Sequence, residues 1–455
     1  MTTLSSPAEP WPVRLLGQWR ALFVLAWPVV LSRAGILVMV LVSTVIVGRS
    51  GTFELARFSL GAAVFFPLLV TGVGCMVGII ATAAREKGAG NPELPAIALR
   101  GLRWAALVGG IASLLIYGSE GLLRVIGQEP ALAAGAGHVA RILAPGALFQ
   151  ILYVAASFYL EGTGRMKPAL VAMILANIVN AAFTLILVDG RLGLPALGAD
   201  GAAIGMTLAR FAMAAGLVVW MLRLPEFAPW RGHALHFWGP GGWQAGAEMR
   251  RIGLAGGAAY FFETMAFATL AQAAGLLGTV ALASYTIVQN VEATVFMIAL
   301  GLSVATAVRV GQAAGAHDPG GARLAGLAGI SAAMLLIGAI GAGLVWVAQP
   351  IVGFYSEDPA LIARAAPLFA ILAVSMIFDA GQVVLGQSTR ALGDSWGTTL
   401  CFFAAFWGVM IPAGLLLAFR TPLAEAGLFI GTGLGCATAV LLLSLRFRLL
   451  VRRVR

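Results

Sequence analysis

The chain has 455 residues, of which 60% are hydrophobic and only 11% charged, with a formal charge of +10. Soluble globular domains carry about 25% charged residues, so this composition excludes a soluble protein and places the chain in a membrane. The basic residues gather at the ends of apolar segments instead of forming a solvated face, which excludes nucleic acid as the partner.

The opening MTTLSSPAEPWPVRLLGQWR is polar and Pro-rich, without the short apolar core and small-residue cleavage site of a signal peptide. Twelve apolar segments follow, near 22–47, 58–84, 101–118, 134–160, 168–188, 198–222, 252–276, 281–308, 324–348, 361–388, 396–418 and 426–445. Each is long enough to cross a bilayer, which takes about 20 residues. Their Gly, Ala and Thr content suits close helix packing, and no alternating pattern points to a barrel. Cys75, Cys401 and Cys436 all lie in these segments and read as small membrane residues, not as a disulfide framework or a metal site.

Between the sixth and seventh segments lies RLPEFAPWRGHALHFWGPGGWQAGAEMRR, the longest polar-rich stretch. It reads as an interfacial linker. His233 and His236 within it have a metal-like spacing, but no Cys or carboxylate cluster completes a site. The predicted organisation is therefore residues 1–222 as a first six-helix bundle, 223–250 as the linker and 251–455 as a second bundle. On the face holding both termini we count 20 Lys and Arg against 6 on the other, with Arg390 assigned to the first face. The positive-inside rule then makes both termini cytoplasmic, in a multi-pass protein of the inner (plasma) membrane, with LRFRLLVRRVR as a surface anchor.

The chain repeats itself. ATAAR at 81–85 returns as ATAVR at 305–309, PAL…ILA at 130–144 as 359–373, and GAAIG at 201–205 as GLFIG at 427–431. Three motifs in one order at nearly one offset indicate duplication. With an even number of helices per copy, the two halves form a parallel repeat about a pseudo-two-fold axis along the membrane normal. The fold class is thus all-α, integral to the membrane, with twelve transmembrane helices in two six-helix bundles.

Ionisable side chains inside such segments are costly and mark ion or substrate pathways. Glu263, in YFFETMAF, lies about 11 residues into the seventh segment, and Asp379, in VSMIFDAGQVVLG, lies at similar depth in the tenth. A carboxylic acid in an apolar surround can take up and release a proton, or share oxygen ligands around Na⁺. Tyr260, Thr264, Ser375 and Gln382 stand at helical spacings that bring them beside these acids. Glu292 is balanced between a packing role and a further acid of the site. Arg141 and Arg210 read as packing or snorkelling residues, Arg33 as near enough to a helix start to snorkel, and His138 as a packed or interfacial histidine. The offset of 229 carries Asp379 onto Gln150, and Glu263 falls opposite the apolar run near Val38, so acids of this kind belong to the second half only. The first half offers Ser43, Thr44, Gln150, Asn177 and Asn180. The two asparagines share one helical face, which must meet protein or a wet cavity. No GxxxxGK[ST], nucleophile elbow or zinc-helix motif is present, so no ATP hydrolysis, enzymatic activity, cofactor or resident metal is expected.

Several stretches together resemble one family. LAWPVVLS and VSTVIVGRSG in the first segment, LEGTGRMKPAL after the fourth, LPALGADGAAIG before the sixth, AAYFFETMAF through ATAVRVGQAAGAHDP at 258–319, and FDAGQVVLGQSTRALGDS in the tenth are similar to MATE (multidrug and toxic compound extrusion) transporters. The resemblance implies two six-helix bundles opening alternately, and efflux of organic cations in exchange for Na⁺ or H⁺. It also implies that Glu263 and Asp379 are cation-site acids and that Asn180 is a family position. Ser43 stands where many relatives carry an acid, and Ser375 where many carry Tyr, so the implied coupling runs through Glu263 and Asp379.

The function expected is secondary antiport of amphiphilic, cationic drugs or metabolites by a monomer embedded in the lipid bilayer. Its candidate coupling-cation and substrate residues are Glu263, Asp379, Tyr260, Gln382, Glu292, Asn180 and Asn177, and its only small-ion partner is Na⁺ or H⁺. Two alternatives differ in what they require. A flippase for a lipid-linked sugar or phospholipid needs Arg33, Arg141 and Arg210 together in a cavity to hold phosphates. A channel needs a continuous lining ring, which acids confined to one half do not supply.

Overall fold

The computed structural model describes residues 11–235 and 242–454. Among them are twelve helices long and apolar enough to cross a membrane. They are α1 Val13–Gly48, α2 Thr52–Gly88, α3 Leu94–Tyr117, α4 Pro130–Gly162, α5 Lys167–Asp189, α6 Gly198–Leu222, α7 Gln244–Leu276, α8 Thr279–Gly315, α9 Pro319–Trp346, α10 Pro359–Ala391, α11 Trp396–Arg420 and α12 Glu425–Val451. All twelve expected segments appear, and most run several residues further than their apolar cores. The extensions carry residues such as Arg57, Arg85 and Lys87, which lower local hydropathy without interrupting a helix. Starts are written locally as an acid followed by Pro. Asp318 accepts from the Gly321 amide at 2.8 Å and Asp358 from the Ala360 amide at 2.9 Å, and the following Pro needs no donor in a first helical turn. The linker forms a 3₁₀ helix over Pro225–Leu235. The side chains of His233 and His236 lie outside the described residues.

The chain forms two compact units. The N-unit holds Leu31–Ala83 and Asn91–Gly257, and the C-unit holds the chain up to Val30, Ala84–Gly90 and everything from Ala258. Each unit is built in the same way. In the N-unit α4 packs between α3 and α6, with α5 against α6, and in the C-unit α10 packs between α9 and α12, with α11 against α12. The repeat is also written in the backbone. Positive φ occurs at Gly51 (125°) and Gly278 (114°), Gly90 (71°) and His317 (55°), Gly164 (85°) and Gly393 (89°), and Gly198 (54°) and Ala424 (47°). The members of each pair are 226–229 residues apart. Positive φ is sterically costly for residues with a Cβ, so its recurrence marks equivalent turns that the second copy keeps even after losing two glycines.

Within the N-unit, glycine permits one very close crossing. A Cβ at Gly78 of α2 would run into the Met249 carbonyl of α7, and one at Gly74 would meet the Gly256 carbonyl at 2.8 Å. Trp104 seals this region by donating its indole N–H to the Cys75 carbonyl at 3.0 Å. The small-residue runs TGVGCMVG and RIGLAGGAAY are therefore packing devices.

Candidate functional site

In the C-unit, three acids come from three helices: Glu263 from α7, Glu292 from α8 and Asp379 from α10. Asp379 is 6% exposed, and its Oδ1 accepts from Gln382 Nε2 at 2.9 Å and lies 3.8 Å from Cys436 Sγ of α12. Glu263 is half-buried, interacts with Gln382, and lies within electrostatic reach of Asp379 and Arg390. Glu292 is 7% exposed, lies within reach of Asp379, and has a buried Oε1 without a hydrogen-bond partner. Cys436 is the common neighbour, within reach of all three acids. The thiol is a small, polarizable group among them.

One cation completes the cluster. Arg390, assigned from sequence to a face of the protein, is instead enclosed at 2% exposure in the last turn of α10. Its guanidinium carbon sits 5.8 Å from the Tyr260 ring and 5.4 Å from the Phe402 ring. Tyr260 Oη accepts from Gln387 Nε2 at 2.8 Å. Two buried acids and a half-buried third face one buried cation here among the described residues, and an uncompensated charge in an apolar interior is very costly. Protonation of a carboxyl, or a cation supplied from outside, relieves that cost.

An aromatic wall lies beside Glu263 in sequence. Phe262 meets Phe403 edge-on at 5.0 Å and Trp407 at 6.5 Å, and Phe403 and Trp407 stack with 13° between their planes. Trp407 donates to the Phe262 carbonyl at 3.1 Å. It is presented by a π-helical turn, Phe406–Met410, followed by Ile411 and Pro412, whose missing N–H leaves the regular ladder incomplete. Such rings attract flat apolar cations through their π faces.

The asparagines belong elsewhere. In the N-unit, Asn180 Nδ2 donates to the Met39 carbonyl at 3.3 Å and Ser43 Oγ at 3.1 Å, and Asn177 Nδ2 donates to the carbonyls of Gly35 at 3.1 Å and Met173 at 3.0 Å. Both pin α5 to α1. Of the remaining shell candidates, Ser375 Oγ donates to the Phe429 carbonyl at 3.2 Å instead of turning to Asp379.

The intramembrane cations also resolve. Arg33 does not snorkel: it lies well inside α1, and its Nη2 pairs with Glu161 at 3.1 and 3.2 Å, with the guanidinium 5.2 Å from the Phe158 ring. Ser157 Oγ donates to the same carboxylate at 2.5 Å. Glu161, fully buried, is an acid of the first half that sequence reading missed, because the apolar segment ends at 160 while the helix continues to Gly162. Arg141 pairs with Glu120 at 2.5 Å, in keeping with a packing role, and the half-exposed His138 lies 3.6 Å from Asp200. Arg210 is 3% exposed and stacks 4.3 Å from the Phe65 ring, with Nε and Nη1 lacking hydrogen-bond partners.

In the turn after α10, Asp394 makes a two-pronged pair with Arg446 at 2.9 and 3.0 Å and accepts from Thr398 Oγ1 at 2.8 Å. Burial pushes its carboxyl up, but Arg446 and the Thr398 hydroxyl outweigh it and hold the group below the usual carboxylate range. The stabilisation is therefore fully present above the unfolded value of about 3.9 and is lost as pH falls through the lower folded value. Asp394→Asn should melt below wild type at neutral pH, and the two melting temperatures should converge at pH below about 4. A gap independent of pH would contradict the pairing.

Comparison with known proteins adds to this geometry. The family model described as MatE matches residues 28–186 and 257–416, once in each half of the chain. A probable multidrug resistance protein NorM of Caulobacter vibrioides is 36% identical over 448 residues, covering 95% of this chain and 91% of its own length. Multidrug resistance protein PmpM of Pseudomonas aeruginosa is 28% identical over 464 aligned residues, covering 99% and 96%. The crystal structure of MATE in the bent conformation superposes with a TM-score of 0.86 at 19% identity, covering 98% of both chains.

Proposed function

The chain belongs to the MATE family of multi-pass membrane transporters, and on that premise we propose that it exports amphiphilic organic cations in exchange for H⁺ or Na⁺. The observation that carries this reading is the C-unit cluster of Glu263, Glu292 and Asp379 against the single buried Arg390. A negative charge that the protein does not itself neutralise binds either the coupling ion or the exported cation. If the site opens alternately to the two sides of the membrane, with bundles 1–222 and 251–455 as the moving parts, this competition for one charge is sufficient for exchange. Phe262, Phe403 and Trp407 would receive the apolar body of the substrate while the acids receive its charge. The charge bias along the chain supports cytoplasmic termini in an inner membrane.

Of the three arginines that the flippase alternative needs, Arg33 and Arg141 are each paired with a carboxylate, which speaks against it, and only Arg210 has donors without a partner. The test is transport of a fluorescent cation in proteoliposomes with an H⁺ or a Na⁺ gradient imposed separately. One of the two gradients is expected to drive uphill accumulation that collapses with an ionophore for that ion. Transport indifferent to both gradients would overturn the proposal.

A further inference from the structure

The equivalent turns of the two halves fix which side chains correspond. Glu161 stands three residues before Gly164, and Arg390 stands three before Gly393. Arg33 stands eighteen before Gly51, and Tyr260 stands eighteen before Gly278. The pair Arg33–Glu161 of the N-unit therefore corresponds to Tyr260–Arg390 of the C-unit. Both pairs join the first and fourth helices of their half, but the chemistry is inverted. The N-unit pair is closed, with a carboxylate that accepts from Arg33 and from Ser157. In the C-unit the cation has moved to the fourth helix, and a ring stands where its partner would be. The position of Ser157 is Gly386, so the supporting hydroxyl is gone as well.

Arg390 is consequently held by the faces of Tyr260 and Phe402, while its Nε and Nη2, both buried, have no hydrogen-bond partner. A ring face holds a guanidinium without fixing its direction, whereas a two-pronged carboxylate does fix it. Buried donors left without a partner are costly, so this arrangement persists where a partner can be gained. Glu263 lies within electrostatic reach, three residues from Tyr260 on the same face of α7. Asp379, Glu292 and Cys436 face the same interior from α10, α8 and α12, and Asp394 lies beyond the end of α10.

We propose that Arg390 is a tethered counter-cation, a positioning residue that offsets the charge of Glu263 when the site is empty and yields it when a cation arrives. The latch of the first half has become, in the second, an internal competitor for the transported cation. This inference rests on the exchange reading above, and it explains how the charge of Glu263 is offset in an empty site and how bound cation is released.

The test is binding of tetraphenylphosphonium to purified protein, measured for wild type, Arg390→Gln, Glu263→Gln and the double variant, with melting temperatures as a check on folding. Arg390→Gln is expected to tighten binding about tenfold, or about 1.4 kcal/mol, and to do so only where Glu263 is present. An unchanged constant, weaker binding, or an equal change in the Glu263→Gln background would overturn the proposal and leave Arg390 a structural residue. Arg390→Lys keeps the charge, and a ring face also attracts an ammonium, so binding is expected to stay within about twofold of wild type. A tenfold change there would also overturn the proposal, and this arm decides the matter if Arg390→Gln does not fold. If Glu263→Gln alone leaves binding unchanged, the exchange reading fails at its central residue. A normal loss with Glu263→Gln but no effect of Arg390→Gln removes only the counter-cation.

Discussion

Glu263→Gln and Asp379→Asn are each expected to abolish gradient-driven dye efflux while the protein reaches the membrane at wild-type level. Both changes preserve shape and hydrogen bonding. An Asn at 379 still accepts from Gln382, whose Nε2 lies 2.9 Å from the present carboxylate, and a Gln at 263 loses no ion pair on which the helices depend. What disappears is the charge. Linkage between two ligands that act on one protein is typically about 1–3 kcal/mol, or about 5–150-fold, and in the proposed exchange the whole of it runs through a charge that both ligands require. Efflux from cells loaded with a fluorescent cation, normalised to protein in the membrane, is the measurement. Retained efflux in both variants would reject the mechanism.

The second large effect concerns folding. Arg33 and Glu161 form an enclosed pair with side chains 7% and 1% exposed. Removing one partner from such a pair strands a buried charge and costs about 3–5 kcal/mol, whereas replacing both with apolar groups of similar volume is often neutral or stabilising by about 1–4 kcal/mol. Arg33→Met should therefore lower the thermal stability of the detergent-solubilised protein severely, and Arg33→Met combined with Glu161→Leu should recover most of it. The double variant still gives up the Ser157 contact and the stacking on Phe158, so full recovery is not expected. If the single change costs under about 1 kcal/mol, the pair is not enclosed as described.

The sequence made the twelve spans legible because a bilayer demands long apolar helices and tolerates little else. Glu263 and Asp379 were legible for the same reason, as acids deep in apolar runs. Arg390 and Glu161 were not. Both sit in the final turn of a helix, one or two residues beyond where hydropathy fades, and a charge there looks like an interfacial residue. The signal that would have found them was present in the repeat: an offset of 229 places Arg390 on Glu161 as surely as it places Asp379 on Gln150. Glu292 was legible as a buried acid, but only the helix packing brings it to Asp379. Asn177 and Asn180 were legible as a polar face, and only the packing shows that their side-chain amides donate to carbonyls of α1, with Asn177 Oδ1 left buried and without a partner. Arg210 is buried on Phe65, and no carboxylate pairs with it among the described residues.

The proposed exchange turns on competition between the coupling ion and the exported cation for the same carboxylates. The most direct measurement is equilibrium binding of tetraphenylphosphonium to the purified protein across a series of H⁺ and Na⁺ concentrations, in wild type and in Glu263→Gln combined with Asp379→Asn. The expected result is an apparent Kd that rises in proportion to the concentration of the coupling ion in wild type and is independent of it in the double variant. Binding in wild type that neither ion displaces, or that both proteins share equally, would contradict the exchange mechanism.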